Sequence, residues 1–364
     1  MSTTTSRVMA LTGPRKIEML RLPITDGAER NRMRVLACGV CGSDWPVYQN
    51  GIGYDGTVAA EHAIPLGHEI IGEVEALEDG PADIWGVKPG DRILVEEPIP
   101  CGVCKLCRTG RYRMCHPLRY GETSVDVAPG LWGGWADYLY LHPRSIVVKI
   151  LAGIPSAMAC MTLPVANGIA WTRNYGAMEV GDTVMIFGPG QQGLGCVIGA
   201  KLAGAHEIIV VGRTADTDRL RSAEILGATR TIAMAPTDNE DRLFEALGDL
   251  RPNVVLDVTP DPNVFRYAAM LADIGGRVVV AGSKSRAVPE FVSNQIILKE
   301  LTISGPYGRD IRTIPAALHY LQTHTETMER AMPASIFPLE RAEEALKIIG
   351  AGQTATHACV SPTL

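Results

Sequence analysis

Thr183-Val-Met-Ile-Phe-Gly188-Pro-Gly190-Gln-Gln-Gly193-Leu-Gly195 is the stretch around which the rest of the chain falls into order. Thr183–Phe187 is a short apolar, β-branched run of the kind that lies buried as a parallel strand. Gly188, Gly190 and Gly193 complete a G-x-G-x-x-G pattern, and a helix-like segment runs on from Gly195 to Leu202. The pattern is weak alone but specific between a strand and a helix. Its first glycine makes the turn, its second lets the backbone approach a pyrophosphate, and its third lets the helix pack against the strand. The helix start supplies unpaired N–H groups and a favourable dipole for phosphate. Gly188, Gly190, Gln191, Gln192 and Gly193 are therefore the expected contacts of a dinucleotide.

Toward the C-terminus the same rhythm repeats. Ile208–Val211, Val254–Asp257 and Val278–Ala281 read as strands, separated by helix-like Arg219–Leu226, Asp241–Leu247 and Phe265–Leu271. Such alternation with right-handed crossovers builds an α/β, doubly wound parallel sheet. An acidic residue near the end of the second strand would hold the ribose hydroxyls of NAD. Gly212, Arg213 and Thr214 stand there instead, with Arg219 beyond, and a guanidinium suits a 2′-phosphate. NADP is the expected cofactor, with NAD left open through Asp216 or Asp218. Further on, Ile314–Gln322 and Glu340–Ile348 read as helices and His357–Val360 as a strand.

Toward the N-terminus the chain reads as short strands and turns, including Arg34–Ala37, Ile70–Ala76, Arg92–Glu96 and Ile146–Val148. Cys101, Cys104, Cys107 and Cys115 have the spacing C-x2-C-x2-C-x7-C. Four thiolates so placed close a tetrahedral zinc site with no open position, which makes it structural. Cys41-Gly-Ser43-Asp44 and Gly67-His68-Glu69 each lie beside a strand. A thiolate and an imidazole from separate segments can hold a second zinc with room for a substrate oxygen. Ser43 is a candidate proton carrier, and Asp44 and Glu69 are candidates to orient the ligands. Cys38, Cys196 and Cys359 read as packed thiols, and His62, His116 and His142 as loop residues. Trp45, Tyr48, Tyr54 and Trp132 flank the motifs and are candidates to line a pocket.

The 364 residues point to two domains, and a net charge of −6 argues against nucleic acid as a partner. No apolar run of about 18 residues suggests a membrane span, and no apolar leader is apparent. Nine cysteines, four of them clustered, fit metal binding in a reducing compartment, so the expected location is cytoplasmic.

Together, the four-cysteine knuckle, Cys41-Gly-Ser-Asp, Gly-His68-Glu and the later glycine loop resemble the medium-chain zinc alcohol dehydrogenase family. Val87–Asp91, Trp132-Gly-Gly-Trp-Ala-Asp-Tyr138 and Lys299-Glu-Leu-Thr-Ile-Ser-Gly305 are similar to its connecting segments. The resemblance implies a GroES-like β-rich catalytic domain over 1–164 and 305–364, with a structural-zinc lobe at about 97–118. A Rossmann coenzyme domain would span 165–304, with the active site between the two. It further implies hydride transfer between a nicotinamide cofactor and a small alcohol, aldehyde or ketone, in a homodimer or homotetramer.

Residue by residue, Cys41 and His68 match two catalytic zinc ligands, Ser43 the substrate-side hydroxyl, and Asp44 and Glu69 the supporting acids. The match breaks twice. Leu163 stands where the family has its third ligand, and Pro46 replaces a relay histidine. Glu69 or Cys160 is then the substitute ligand. The alternatives are a zinc-free NADPH-dependent reductase of an activated double bond or carbonyl, and a non-catalytic dinucleotide-binding protein.

Overall fold

The computed structural model describes residues 5–24, 30–51, 62–115, 118–284, 286–350, 352 and 357–364. The chain divides into two compact units, Met1–Met161 with Pro333–Leu364, and Thr162–Met332. No described helix is long and apolar enough to cross a membrane.

The second unit is built on a six-stranded parallel sheet. Its spatial order is Arg230–Met234, Glu207–Arg213, Thr183–Phe187, Val254–Asp257, Arg277–Val280 and Thr302–Ser304. All five residues of Thr183–Phe187 are buried, as a central strand covered on both faces requires. The order of connection reverses between this strand and Val254–Asp257, which creates a crevice at their C-terminal ends. Helix Gln191–Ala203 packs on helix Thr162–Ala170 at backbone distance, because a Cβ at Gly168 would run into the backbone of Gly195. Lys299 closes the end of helix Pro262–Leu271 by donating from Nζ to the carbonyl oxygens of Met270 (2.5 Å) and Ala272 (2.8 Å).

In the first unit the largest sheet runs Val147–Lys149, Arg92–Val95, Glu69–Ala76, Arg32–Gly39, His357–Ser361 and Ala334–Pro338, with Tyr138–Tyr140 also on Arg32–Gly39. A hairpin, Thr5–Gly13 with Lys16–Pro23, and Ile64–Pro65 form a second sheet. Trp132, Trp135 and Tyr120 fill the core between these strands. The C-terminal strand returns to pair antiparallel with Arg32–Gly39, Cys359 opposite Gly39.

The compact units divide elsewhere than at 164/165 and 304/305. Helices Ile314–Thr323 and Thr325–Ala331 pack on helices Thr162–Ala170 and Thr217–Leu226 of the second unit. Ile314, Ala317, Leu318, Leu321 and Met328 are buried there, so apolar burial holds 305–332 to the second unit.

Candidate metal and dinucleotide sites

Cys41 follows the strand Arg32–Gly39, and His68 immediately precedes the neighbouring strand Glu69–Ala76, which Glu69 opens. Antiparallel pairing sets Gly39 opposite Glu69, which brings the two segments together at one end of the sheet. Ligand atoms of Cys41, His68 and Glu69 lie within 4.8 Å of one another. Glu69 is buried and its carboxylate rests over Gly39, where any side chain would collide with it. Gly39 is thus the cradle that lets a carboxylate reach the cluster.

Asp44 sits in the first turn of helix Asp44–Asn50 and is buried. Its Oδ2 accepts from the Cys41 N–H (2.9 Å), and its Oδ1 lies 3.2 Å from His68 Nδ1. With Nδ1 committed to Asp44, Nε2 is the nitrogen that remains for a metal. Burial disfavours charge on His68, but Asp44, and then Cys41, more than offsets it and holds the imidazole well above its ordinary range. Gly67 packs against Trp135 and Cys38 with no room for a side chain, and Gly121, at φ +82, lies close against His68 Cβ. A thiolate, an imidazole and a carboxylate make a donor set that fits zinc and leaves a position open.

Cys160 does not join this set. It is fully buried, its thiol donates to the Ser156 carbonyl (3.5 Å), and burial pushes it well above the usual thiol range. Leu163 lies buried in helix Thr162–Ala170. Ser43 is half-buried at the start of helix Asp44–Asn50, and Pro46 occupies the first turn. Cys38, Cys196 and Cys359 are buried thiols. Three of the aromatic residues considered for a pocket have defined contacts. Trp132 is buried and donates from Nε1 to the Val127 carbonyl (2.6 Å), Tyr48 donates to Glu343 (2.5 Å), and the Trp45 ring fills the space that a side chain on Gly350 would need. Tyr54 and His116 fall outside the described residues. His62 lies 3.3 Å from Asp126, and His142 Nδ1 accepts from the Arg144 N–H at 3.1 Å.

Cys101, Cys104, Cys107 and Cys115 form the other cluster, again with ligand atoms within 4.8 Å. Sγ of Cys104 and Cys107 are 3.6 Å apart, and Cys101 Sγ accepts from the Cys104 N–H (3.3 Å). The N–H groups of Val103 and Cys104 lower the Cys101 thiol to about 6. Burial and neighbouring thiols push Cys115 up to about 12. A bound cation would let all four shed their protons together. Beneath the lobe lies a network that sequence reading missed. Arg113 bridges Glu96 (2.7 Å) and Glu97 (2.7 Å), Arg119 binds Glu97 (2.9 Å), and Tyr112 donates to Glu96 (2.8 Å).

In the second unit, Gly190 is the cap of helix Gln191–Ala203. Gly188 has φ +101, and a Cβ at Gly193 would run into the Gly188 carbonyl. These are the turn and the close helix approach that the motif requires. Gln191 is buried, and Gln192 Oε1 accepts from Asn167 (2.9 Å). Gly212 is a glycine for a steric reason, since a Cβ would meet Pro189 Cγ at 2.8 Å. Thr214 opens a short turn, Thr214–Asp216. Asp216 folds back to accept from the Arg213 N–H (2.9 Å), Nε (3.0 Å) and Nη2 (2.9 Å), with Arg219 3.6 Å away.

Residues 27–152 match the alcohol dehydrogenase GroES-like domain, and residues 193–323 match the zinc-binding dehydrogenase domain. A Mycobacterium tuberculosis protein named as a probable alcohol dehydrogenase is 36% identical over 350 residues, 93% of each chain. The chain belongs to the zinc-containing alcohol dehydrogenase family. An erythritol/L-threitol dehydrogenase of Mycolicibacterium smegmatis is 29% identical, covering 91% of this chain and 90% of its own. A solved zinc-binding dehydrogenase of Sinorhizobium meliloti, bound to NADP, superposes with a TM-score of 0.81 at 25% identity, over 99% of this chain and 100% of that one. Thermotoga maritima alcohol dehydrogenase shares the fold, with a TM-score of 0.84 at 24% identity over 98% and 99%. As a family member the chain has the expected GroES-like and Rossmann domains and is an NAD(P)-dependent oxidoreductase of alcohols and carbonyls.

Proposed function

We propose that this alcohol dehydrogenase works with a catalytic zinc held by Cys41, His68 and Glu69, in addition to a structural zinc on Cys101, Cys104, Cys107 and Cys115. The observation that carries the reading is the convergence of a thiolate, an imidazole and a carboxylate within 4.8 Å, backed by Asp44 on His68 Nδ1. When bound, zinc would polarise the substrate oxygen and the nicotinamide would give or take the hydride. Glu69 takes the part that Leu163 cannot play, because Gly39 leaves its carboxylate room. Asp44 fixes the imidazole tautomer, and Ser43 is the hydroxyl proposed to carry the substrate proton.

We assign the dinucleotide to Gly188, Gly190, Gln191, Gln192 and Gly193, and its adenosine end to Gly212, Arg213, Thr214 and Arg219. Two guanidiniums flank the single carboxylate of Asp216, which leaves an excess positive charge suited to the 2′-phosphate of NADP. A homodimer through the coenzyme domain is proposed from the exposed Ile274, Val292, Ile297 and Leu298 near the edge strand Thr302–Ser304. Nine unpaired cysteines favour a cytoplasmic location.

The test is zinc content per subunit together with coenzyme selectivity. About two zincs in the wild type and about one in H68A support the reading. About one zinc in both favours the zinc-free reductase, and binding without turnover on alcohols, aldehydes and enones favours a non-catalytic binder. A kcat/KM higher with NADPH than with NADH supports the coenzyme assignment; the reverse order makes Asp216 a ribose ligand.

A further inference from the structure

Three turns meet at the C-terminal edge of the parallel sheet. They are Gly188 after Thr183–Phe187, Val258-Thr259 after Val254–Asp257, and Ala281-Gly282-Ser283-Lys284 after Arg277–Val280. In such a sheet the two halves of a dinucleotide divide at the switch point, here between Thr183–Phe187 and Val254–Asp257. The adenosine half lies on the side of Glu207–Arg213, so the turns after Val254–Asp257 and Arg277–Val280 flank the nicotinamide half.

Thr259 is wedged among these turns. A Cβ on Gly188 would meet Thr259 Cγ2 at 2.9 Å, and a Cβ on Gly282 would run into the Thr259 backbone. Asp257 is fully buried, and its Oδ1 accepts from the Thr259 N–H (3.1 Å) and hydroxyl (3.0 Å). The Ala281 and Gly282 N–H groups both donate to the Asp257 carbonyl at 2.9 Å. Lys284 ties these pieces together. Its Nζ donates to Asp257 Oδ1 (2.8 Å) and to the Thr259 carbonyl (2.5 Å), and it lies 2.7 Å from Asp257 Oδ2. The lysine side chain is only 12% exposed.

A buried ion pair is a poor source of stability, since desolvation cancels most of the attraction. It is a good way to hold a geometry and to cancel a charge. We propose that Lys284 is a positioning residue for the nicotinamide half of the dinucleotide, acting through Thr259 on the turn ending at Gly282. It also neutralises Asp257, which would otherwise stand as a lone buried anion at a crevice that takes an anionic ligand. The inference rests on dinucleotide binding at the glycine loop.

The experiment compares the whole dinucleotide with a fragment that lacks nicotinamide. NADPH and 2′-phospho-ADP-ribose are titrated by calorimetry into wild type, K284M and K284R. K284M is expected to weaken NADPH binding about tenfold or more and the fragment less than about twofold, with K284R recovering most of the loss. Equal loss for both ligands, or no loss for either, overturns the proposal. If K284M does not fold, the D257N/K284Q double variant replaces the ion pair by a neutral pair and is judged by the same two ratios. Wild-type protein that binds neither ligand brings down the dinucleotide reading and this inference with it. Wild type that binds both, with K284M indifferent, brings down this inference alone.

Discussion

The two sulfur-containing clusters differ in their ligands, four thiols against a thiol, an imidazole and a carboxylate, and are built in opposite ways. Cys101, Cys104, Cys107 and Cys115 come from one short segment, and backbone N–H groups already point at the sulfur of Cys101. Cys41, His68 and Glu69 come from two strands that must pair first, and they depend on Asp44, Gly39, Gly67 and Gly121 around them. A closed site can be written as local spacing. An open site needs the sheet to aim each ligand while leaving one position free.

Four predictions press on that contrast. The largest effect falls on the open site. H68A is expected to lower kcat/KM by a factor of about 10⁴, roughly 5 kcal/mol of transition-state stabilisation, and to leave the melting temperature near that of wild type. Unaltered turnover in H68A would end the catalytic assignment.

The lobe should show the opposite signature. R113M removes the cation that Glu96 and Glu97 share, leaving Glu97 to Arg119, and is expected to cost about 3–5 kcal/mol in urea unfolding. Chemistry per folded molecule should be unchanged. A loss below about 1 kcal/mol would show that the network is not what seats the lobe.

One acid-sensitive contribution lies outside both clusters, at His357, which ties the C-terminal strand to the segment carrying Ala157. It is fully buried, its Nε2 lies 3.0 Å from the Ala157 carbonyl, and burial lowers it to about 4. Its folded value lies below the ordinary 6.5, so the unfolded chain binds the extra proton. Its contribution is complete above about pH 6.5 and fades as pH falls toward 4, by about 3 kcal/mol in all. H357Q should flatten the melting temperature across that window; an equally steep decline would assign the acid sensitivity to other groups.

The smallest effect is expected at the support of the open site. D44N keeps shape but loses the charge on His68 Nδ1, and should reduce zinc affinity by about 10–100-fold. The four-cysteine zinc should stay in place under the same chelator, so zinc content falls from two to one per subunit.

Thr183–Phe187 and its glycine loop could be read from the chain because the strand period, the turn glycines and the helix start are all local. The same is true of the cysteine knuckle. Arg230–Met234 and Thr302–Ser304 were harder to see, since edge strands bury less and their apolar pattern is diluted. Gly212 reads as a missing ribose carboxylate, whereas the fold shows a glycine that makes room for Pro189 while Asp216 returns to the same strand end.

Sequence by itself determined the family, the GroES-like and Rossmann plan, the four-cysteine cluster and the glycine turn between strand and helix, because the motifs behind them are written in residues that are neighbours along the chain. Tertiary structure alone placed Glu69, and not Cys160, beside Cys41 and His68, and it joined Lys284 to Asp257. Both outcomes depend on which strands lie side by side. Gly39 has meaning only once Glu69 lies across from it, and Lys284 only once Arg277–Val280 pairs with Val254–Asp257.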